Sequence, residues 1–362
     1  MGVTLENTRK YLVESPTAGA TSAGNVATLN RVILPVIRRV MPTVIANELV
    51  GVQPLTGPVG QIHTLRVRYS DTSSAAGVVA GEEALSPFKI AEAYSGNTST
   101  GKAASTATLE GQAGNRMSIQ ILKQTVEAKT RKLSARWTFE AAQDAQAQQG
   151  IDVEAEIMAA LAQEITAEID QEILASLSSL AGTATQTYDQ AQVSGTATFV
   201  GDEHAALAIQ INRVSNLIAQ RTRRGAGNWA VVSPFALTIL QSATTSAFAR
   251  TTEGTFEAPT NTKFVGTLNN ALKVYVNSYA NDSTPILVGY KGGSESDAAA
   301  FYCPYIPLMS SGVVLDPSTF EPTVSFMTRY GYVELSNTAS SLGNAADYLG
   351  KVAITDGNVK FS

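Results

Sequence analysis

Histidine and cysteine come first, because general-base, nucleophilic and metal-ligand chemistry all draw on them. His63 lies in a strand-like stretch and His204 at a helix start. Neither has a Glu-x-x-His or His-x-x-x-His partner at ligand spacing, so both read as structural. Cys303 is the only cysteine, which excludes a disulfide framework and a cysteine-rich metal site. At the end of an apolar stretch it reads as a small buried hydrophobe. No Gly-x-Ser-x-Gly elbow occurs. Gly225-Ala226-Gly227-Asn228-Trp229-Ala230 has the outline of a dinucleotide loop, but it follows a helix and precedes a strand. That reverses the order needed to aim a helix N-terminus at a phosphate, so it reads as a helix C-cap with Arg at the negative end of the dipole. Glu82-Glu83 lacks a partner that would split the pair's pKa values, as acid/base work requires. No catalytic, cofactor-binding or metal residue is assigned, no cofactor is expected, and an enzyme is disfavoured.

Separated charge is what the chain offers instead. From Trp137 to Asn212 there is no Lys or Arg, while Glu140, Asp144, Asp152, Glu154, Glu156, Glu164, Glu168, Asp170, Glu172, Asp189, Asp202 and Glu203 are acidic. Helices usually support themselves with Glu/Lys pairs four residues apart. This one cannot, so its carboxylates must meet water or cations brought from elsewhere. The preceding segment, Arg116 to Arg136, holds Lys123, Lys129, Arg131 and Lys132. Lys129, Arg131, Lys132 and Arg136 are the candidates to meet Glu154, Glu164, Glu168 and Glu172, either inside one subunit or head to tail between identical copies. A solvated helix of mutually repelling acids is the third reading.

The element that must position these acids runs from Ile151 to Leu180. Ile157, Leu161, Ile165, Ile169, Ile173 and Leu177 recur every fourth residue, proline and glycine are absent, and Ala, Glu and Gln fill most other positions. Asp152 can cap its start and Gly182 suits its stop. At 1.5 Å per residue it makes a rod about 45 Å long. Its stripe drifts by about 40° per four-residue step and so must meet different partners along its length.

The whole chain has 362 residues, 44% of them apolar and 16% charged, against roughly 25% charged in typical soluble proteins. So sparse a charge would protect a free monomer poorly, which points to a surface covered by neighbours. A net charge of −5 gives no electrostatic footprint for nucleic-acid binding. No long apolar run or signal-type h-region is seen, so a soluble, cytoplasmically made protein without membrane contact is expected.

Taken in order, Met1 to Asn30 is polar and rich in small residues, an arm without its own core. Leu29 to Val50 places Ile33, Val36, Ile37, Val40, Met41, Val44 and Ile45 on one helical face, interrupted by Pro35 and Pro42. It lies either across a neighbouring surface or in its own subunit's core. After turn chemistry at 51–60, Leu65, Val67 and Tyr69 alternate with Thr64, Arg66 and Arg68 as a strand. A long small-and-polar stretch from Ser70 to Gly114 follows. A second ladder runs through Met117, Ile119 and Ile121, changes phase at Val126 and Ala128, and continues through Leu133, Ala135, Trp137 and Phe139. Together these describe an extended hairpin that buries too little to stand alone. Thr183 to Gly201 reads as a connection and Glu203 to Thr222 as a helix. Trp229 to Val232 is a strand and Ser233-Pro234 a helix start. Short strands are expected at Leu272–Asn277, Ile286–Tyr290, Ala299–Cys303, Val324–Thr328 and Tyr330–Leu335. Without a repeating βαβ rhythm the class is α+β.

Several of these stretches also resemble a known family. VIRRVMPTVIANELVGVQPLTGPVGQI, TVEAKTRKLSARWTFEAAQDAQAQQGIDVEAEIMAALAQEITAEIDQEIL, RRGAGNWAVVSP, PYIPLM and TRYGYVE are similar, in order, to the major capsid proteins of T-even-type tailed bacteriophages. The resemblance implies the Hong Kong 97-type capsid fold. It divides the chain into an N-terminal arm (1–55), an E-loop hairpin (56–137), a peripheral domain with the spine helix (138–200), an axial domain (201–309) and C-terminal strands returning to the peripheral domain (310–362). It implies a head protein, assembled in the host cytoplasm into hexamers, and pentamers too unless another protein fills the vertices, of an icosahedral or prolate virion shell around double-stranded DNA, bound without sequence specificity. Vertex, portal, scaffold and decoration proteins are the implied further partners. The stretch from Ser70 to Gly114 is shorter than the E-loop insertion of that family. A maturation cut after a Leu/Ile-x-Glu pattern, as in that family, would fall after Glu14, where Leu12-Val13-Glu14 precedes Ser15. An encapsulin-like protein compartment shares the fold and is the alternative reading.

Overall fold

The computed structural model describes residues 45–84, 91, 94–97, 102–193, 200–243, 248–250, 264–269, 271–295, 297–335 and 345–360. The Glu14 site and the apolar face from Ile33 to Val44 lie outside the described residues. The elements open with α1 (Ala46–Leu49), β1 (Gly51–Val52), β2 (Val59–Tyr69), α2 (Thr106–Leu109), β3 (Met117–Glu127) and β4 (Lys129–Arg136). Next come α3 (Phe139–Gln149), α4 (Val153–Leu180), β5 (Gln186–Tyr188), α5 (Val200–Thr222), β6 (Trp229–Val232) and α6 (Pro234–Ser242). The later strands are β7 (Phe248–Arg250), β8 (Phe264–Leu268), β9 (Leu272–Val276), β10 (Ile286–Gly289), β11 (Ala300–Ser310), β12 (Val314–Leu315), β13 (Pro322–Glu334) and β14 (Leu349–Ile354), with short 3-10 turns at Ala345–Tyr348 and Asp356–Asn358. This mixture is α+β.

Two compact units emerge. One includes Ser134–Ala160 and Gly312–Val324; the other comprises Met41–Leu133, Leu161–Ser311 and Ser325–Ser362. In the smaller unit the strand ladder expected to reach Phe139 stops at Arg136. The Thr138 hydroxyl accepts from the Ala141 N–H at 3.4 Å and opens α3, whose helix-forming run ends at Gly150 with φ 67°. Val314 and Leu315 pair with Thr323 and Pro322. The turn between them is held by Asp316, whose carboxylate accepts from the Ser318 N–H at 2.9 Å and hydroxyl at 2.7 Å.

The larger unit is built on a mixed seven-stranded sheet of order β5-β14-β10-β6-β9-β8-β7. Its central strands are buried on both faces, which is why WAVV and ILVG read as continuous apolar runs. Ala230, Val232, Ile286 and Val288 meet Leu207, Ile211, Val214 and Ile218 of α5. Trp229, Val231 and Leu287 instead meet Ile173, Leu174 and Leu177 of α4, together with Ile45, Leu49 and Val50. Asp152 starts α4 by accepting from the Glu154 and Ala155 N–H groups at 3.1 and 3.4 Å, and Gly182, at φ 69°, follows its end. The Ser233 hydroxyl accepts from Ala236 at 3.2 Å as the α6 cap.

Several expectations are corrected. The segments expected as separate strands at Val324–Thr328 and Tyr330–Leu335 form one strand, β13, and β11 runs on past Cys303 to Ser310. The connection Thr183–Gly201 contains β5, which pairs in parallel with β14. β4 leaves the hairpin after Ala128 and pairs with β13.

Candidate assembly surfaces

Arg131 stands on β4 with its guanidinium between a helix and a strand. Nη1 donates to Glu168 Oε2 and Nη2 to Glu172 Oε2, each at 2.6 Å. Nε donates to the Tyr330 hydroxyl at 2.7 Å, and that hydroxyl donates in turn to Glu172. The spacing explains the fork: Glu168 and Glu172 are four residues apart and share one face of α4, and Arg presents its donors in a planar array. Hydrogen bonds to Glu172 and Tyr330 hold the Arg131 pKa above its ordinary value. Partial burial pushes the Glu172 carboxyl up, but bonds from Tyr330 and Arg131, with the charges of Arg131 and Lys129, outweigh it and leave the group below its usual range. Burial and the bond to Glu172 push Tyr330 up to about 12.

The other charged candidates are not brought into this cluster as direct partners. Lys129 acts on Glu172 through charge alone. Arg136 lies 3.6 Å from Glu321, which the sequence reading did not name. Lys132, Glu154 and Glu164 make no ion pair with another described residue. Asp170 corrects the expectation that the helix acids meet water or cations. It is 1% exposed, and its Oδ1 accepts from the Ile45 and Ala46 N–H groups at 2.8 and 2.7 Å. Its position three, four and seven residues before Ile173, Leu174 and Leu177 puts it on the buried stripe, which was the available signal. Tyr330 was missed because nothing in its sequence neighbourhood shows that β13 passes beside the helix.

A second surface is the ribbon of β2 and β3, paired antiparallel from Val59 opposite Glu127 to Tyr69 opposite Met117. Directly opposed residues share a face. One face carries Val126, Ile62 and Arg66: Val126 packs on Phe301 and Cys303, and Arg66 pairs with Glu83 at 2.7 Å. The other face presents Leu65 opposite Ile121 and Val67 opposite Ile119, with Leu65 64%, Ile121 65% and Ile119 68% exposed. Period-two alternation ordinarily buries the apolar row. Here β2 turns Arg66 inward and Leu65 outward. Beyond the ribbon the described tip residues have a small core of their own, Tyr69, Val78, Ala84 and Tyr94. Tyr94 is tied down there by donating to the Arg116 carbonyl at 2.5 Å. In the smaller unit Val313, Val314, Leu315 and Phe320 form another exposed apolar group.

The residues capable of chemistry are built in as structure. His204 is fully buried, with Nε2 donating to the Lys360 carbonyl at 3.1 Å and Nδ1 against the Ser242 hydroxyl. Burial keeps its pKa below the usual histidine value. His63 is exposed on the ribbon opposite Lys123. Burial raises the Cys303 thiol pKa. A cavity of about 700 Å³ beside the ribbon base is lined by Arg66, Glu83, Arg224 and Asp297, whose charges are spent in two ion pairs, and by His63 and Arg221. Among the described residues no His/Cys/Asp/Glu group could hold a metal, and no helix is long and apolar enough to cross a membrane.

Comparison with known proteins supplies the context for these surfaces. The family model of the major capsid protein Gp23 matches residues 26–354. The major capsid protein of Vibrio phage KVP40 is 29% identical over 422 residues, covering 91% of this chain and 81% of that protein. That of Serratia phage KSP90 is 31% identical over 360 residues, covering 89% and 80%. Among solved structures, the capsid of cyanophage P-SCSP1u superposes with a TM-score of 0.56 at 13% identity, over 94% of this chain and 97% of that one. The capsid of Myoviridae phage XM1 gives 0.53 at 11% identity, over 93% and 99%. The fold is therefore the Hong Kong 97-type capsid fold. The chain belongs to the Gp23 family of major capsid proteins, structural rather than enzymatic, which assemble with copies of themselves into the shell of a tailed-phage head.

Proposed function

We propose that the shell is built from hexamers of this chain, with pentamers as well unless another protein fills the vertices. It closes as an icosahedral or elongated head around double-stranded DNA, held without sequence-specific contacts and without a membrane. The N-terminal arm (1–55), apart from residues 45–55, which pack in their own subunit, and the E-loop hairpin (56–137) lie over adjacent copies. The peripheral domain (138–200), axial domain (201–309) and C-terminal strands (310–362) form the body. Vertex, portal, scaffold and decoration proteins are its further partners, and a maturation protease cuts after Glu14. Arg131 joins β4, the strand that follows the hairpin ribbon, to the spine carboxylates Glu168 and Glu172, fixing where the ribbon leaves the body. Lys132, Glu154 and Glu164 remain for contacts between copies.

One observation carries this reading: the exposed row of Leu65, Ile119 and Ile121 on a two-stranded ribbon. Each such side chain contributes about 1.5–3 kcal/mol when it is buried, and obligate interfaces are where large apolar surfaces go. Leu65→Lys together with Ile121→Glu, an opposite-charge pair at directly opposed positions, tests it. These side chains touch solvent in the subunit, so the variant should unfold at the wild-type temperature yet yield no closed shells by electron imaging. Normal shells from that variant would overturn the reading.

A further inference from the structure

Among the acids of α4, Asp170 is the buried one, and its partners are not on the helix. They are the backbone N–H groups of Ile45 and Ala46, 125 and 124 residues earlier, which open α1. A helix start leaves such donors without intrahelical partners, and a carboxylate is a strong acceptor for them. The chain that follows is fastened at each step. Glu48 and Val50 donate back to the Ile45 and Ala46 carbonyls at 3.0 and 3.1 Å. Val52 donates to Glu295 Oε2 at 2.8 Å, Gln53 to the Tyr302 carbonyl at 3.0 Å and Leu55 to the Pro304 carbonyl at 2.8 Å. Ile45, Ala46, Leu49 and Val50 are all buried against Ile173, Leu174 and Leu177. For packing alone, an apolar side chain at position 170 would serve better than a buried carboxylate. What the carboxylate adds is direction, because one oxygen reaching two successive N–H groups fixes the place and heading of the backbone at Ile45.

We infer that Asp170 is a positioning residue for assembly: it fixes the place and heading of the backbone at Ile45, and through it the register in which the rest of the N-terminal arm meets the neighbouring copy. This rests on the proposal that the arm lies over an adjacent subunit. The test uses the full chain with Asp170→Leu and Asp170→Asn. Amide exchange is read over peptides from 29–44 and 45–55, in free subunits and in assembled shells, alongside the yield of closed shells.

Asp170→Leu removes the acceptor. It should speed exchange at Ile45 and Ala46 at least tenfold, leave the peptides of β6 and β10 unchanged, and cut shell yield several-fold. Asp170→Asn keeps an acceptor oxygen and should restore most of both. If the leucine variant does not fold, the weaker amide acceptor of Asp170→Asn should still show a smaller loss, with faster exchange at 45–46 and lower yield moving together. The inference is overturned if 29–44 becomes protected on assembly equally in wild type and variant. It is also overturned if 45–46 exchange freely while shells form normally. Should 29–44 gain no protection in wild-type shells, the arm-docking reading itself fails, and the inference falls with it.

Discussion

Replacing Arg131 by Ala removes its hydrogen bonds to Glu168, Glu172 and Tyr330 at one stroke. Both carboxylate side chains are 46% exposed, so water screens the ion pairs. A loss of about 1–2 kcal/mol of subunit stability at neutral pH is expected, read by urea unfolding. The sign of its pH dependence follows from Glu172. A carboxyl held below its ordinary pKa contributes stability that is present above about 4.3 and is lost as pH falls through its lower native value. The gap between wild type and Arg131→Ala should therefore close on acidification; a gap that widened would contradict the arrangement. Three of the cluster's four residues were legible: segregated charge pointed to Arg131, Glu168 and Glu172, whereas Tyr330 reaches them only through the path of β13. Asp170 was misread although its spacing put it on the buried stripe; only its partners, the distant Ile45 and Ala46 N–H groups, lie beyond local pattern.

At the scale of elements, what could be read locally was read well. The i, i+4 stripe of α4, the WAVV strand and the Ser233-Pro234 helix start depend on neighbours a few residues away. Leu177→Ala should therefore destabilise the subunit by about 3 kcal/mol, the cost of a large-to-small change at a fully buried site, with thermal unfolding as the measure. A loss below about 1 kcal/mol would show that α4 is not packed as described. The long strands were read short: β11 was ended at Cys303, just before Pro304, and β13 was split at Arg329. In the sheet, β11 absorbs irregular register between Pro304 and Met309. Gly331 has no side chain because a Cβ there would lie 2.5 Å from Val126, and Gly350 in β14 is likewise crowded by Val214 at 2.4 Å. Such close approaches are long-range facts, invisible to periodicity. So is the inversion of β2: its alternation gave the strand, but which row would face solvent depended on Arg66 finding Glu83.

For the whole molecule, sparse charge and the exposed apolar rows belong together. A shell subunit is completed by its copies, so surfaces that would be a liability for a monomer become its contacts. The family and the fold were legible because stretches that resemble the family follow one another in order along most of this chain, the part that the family model matches. How copies meet is a property of the assembly and has no local signature in one sequence. Electron cryo-microscopy of purified shells, at a resolution that traces side chains, tests the account most directly. It predicts Leu65, Ile119 and Ile121 of each subunit packed against a neighbouring copy; finding that row facing solvent, or folded onto its own subunit, would contradict it.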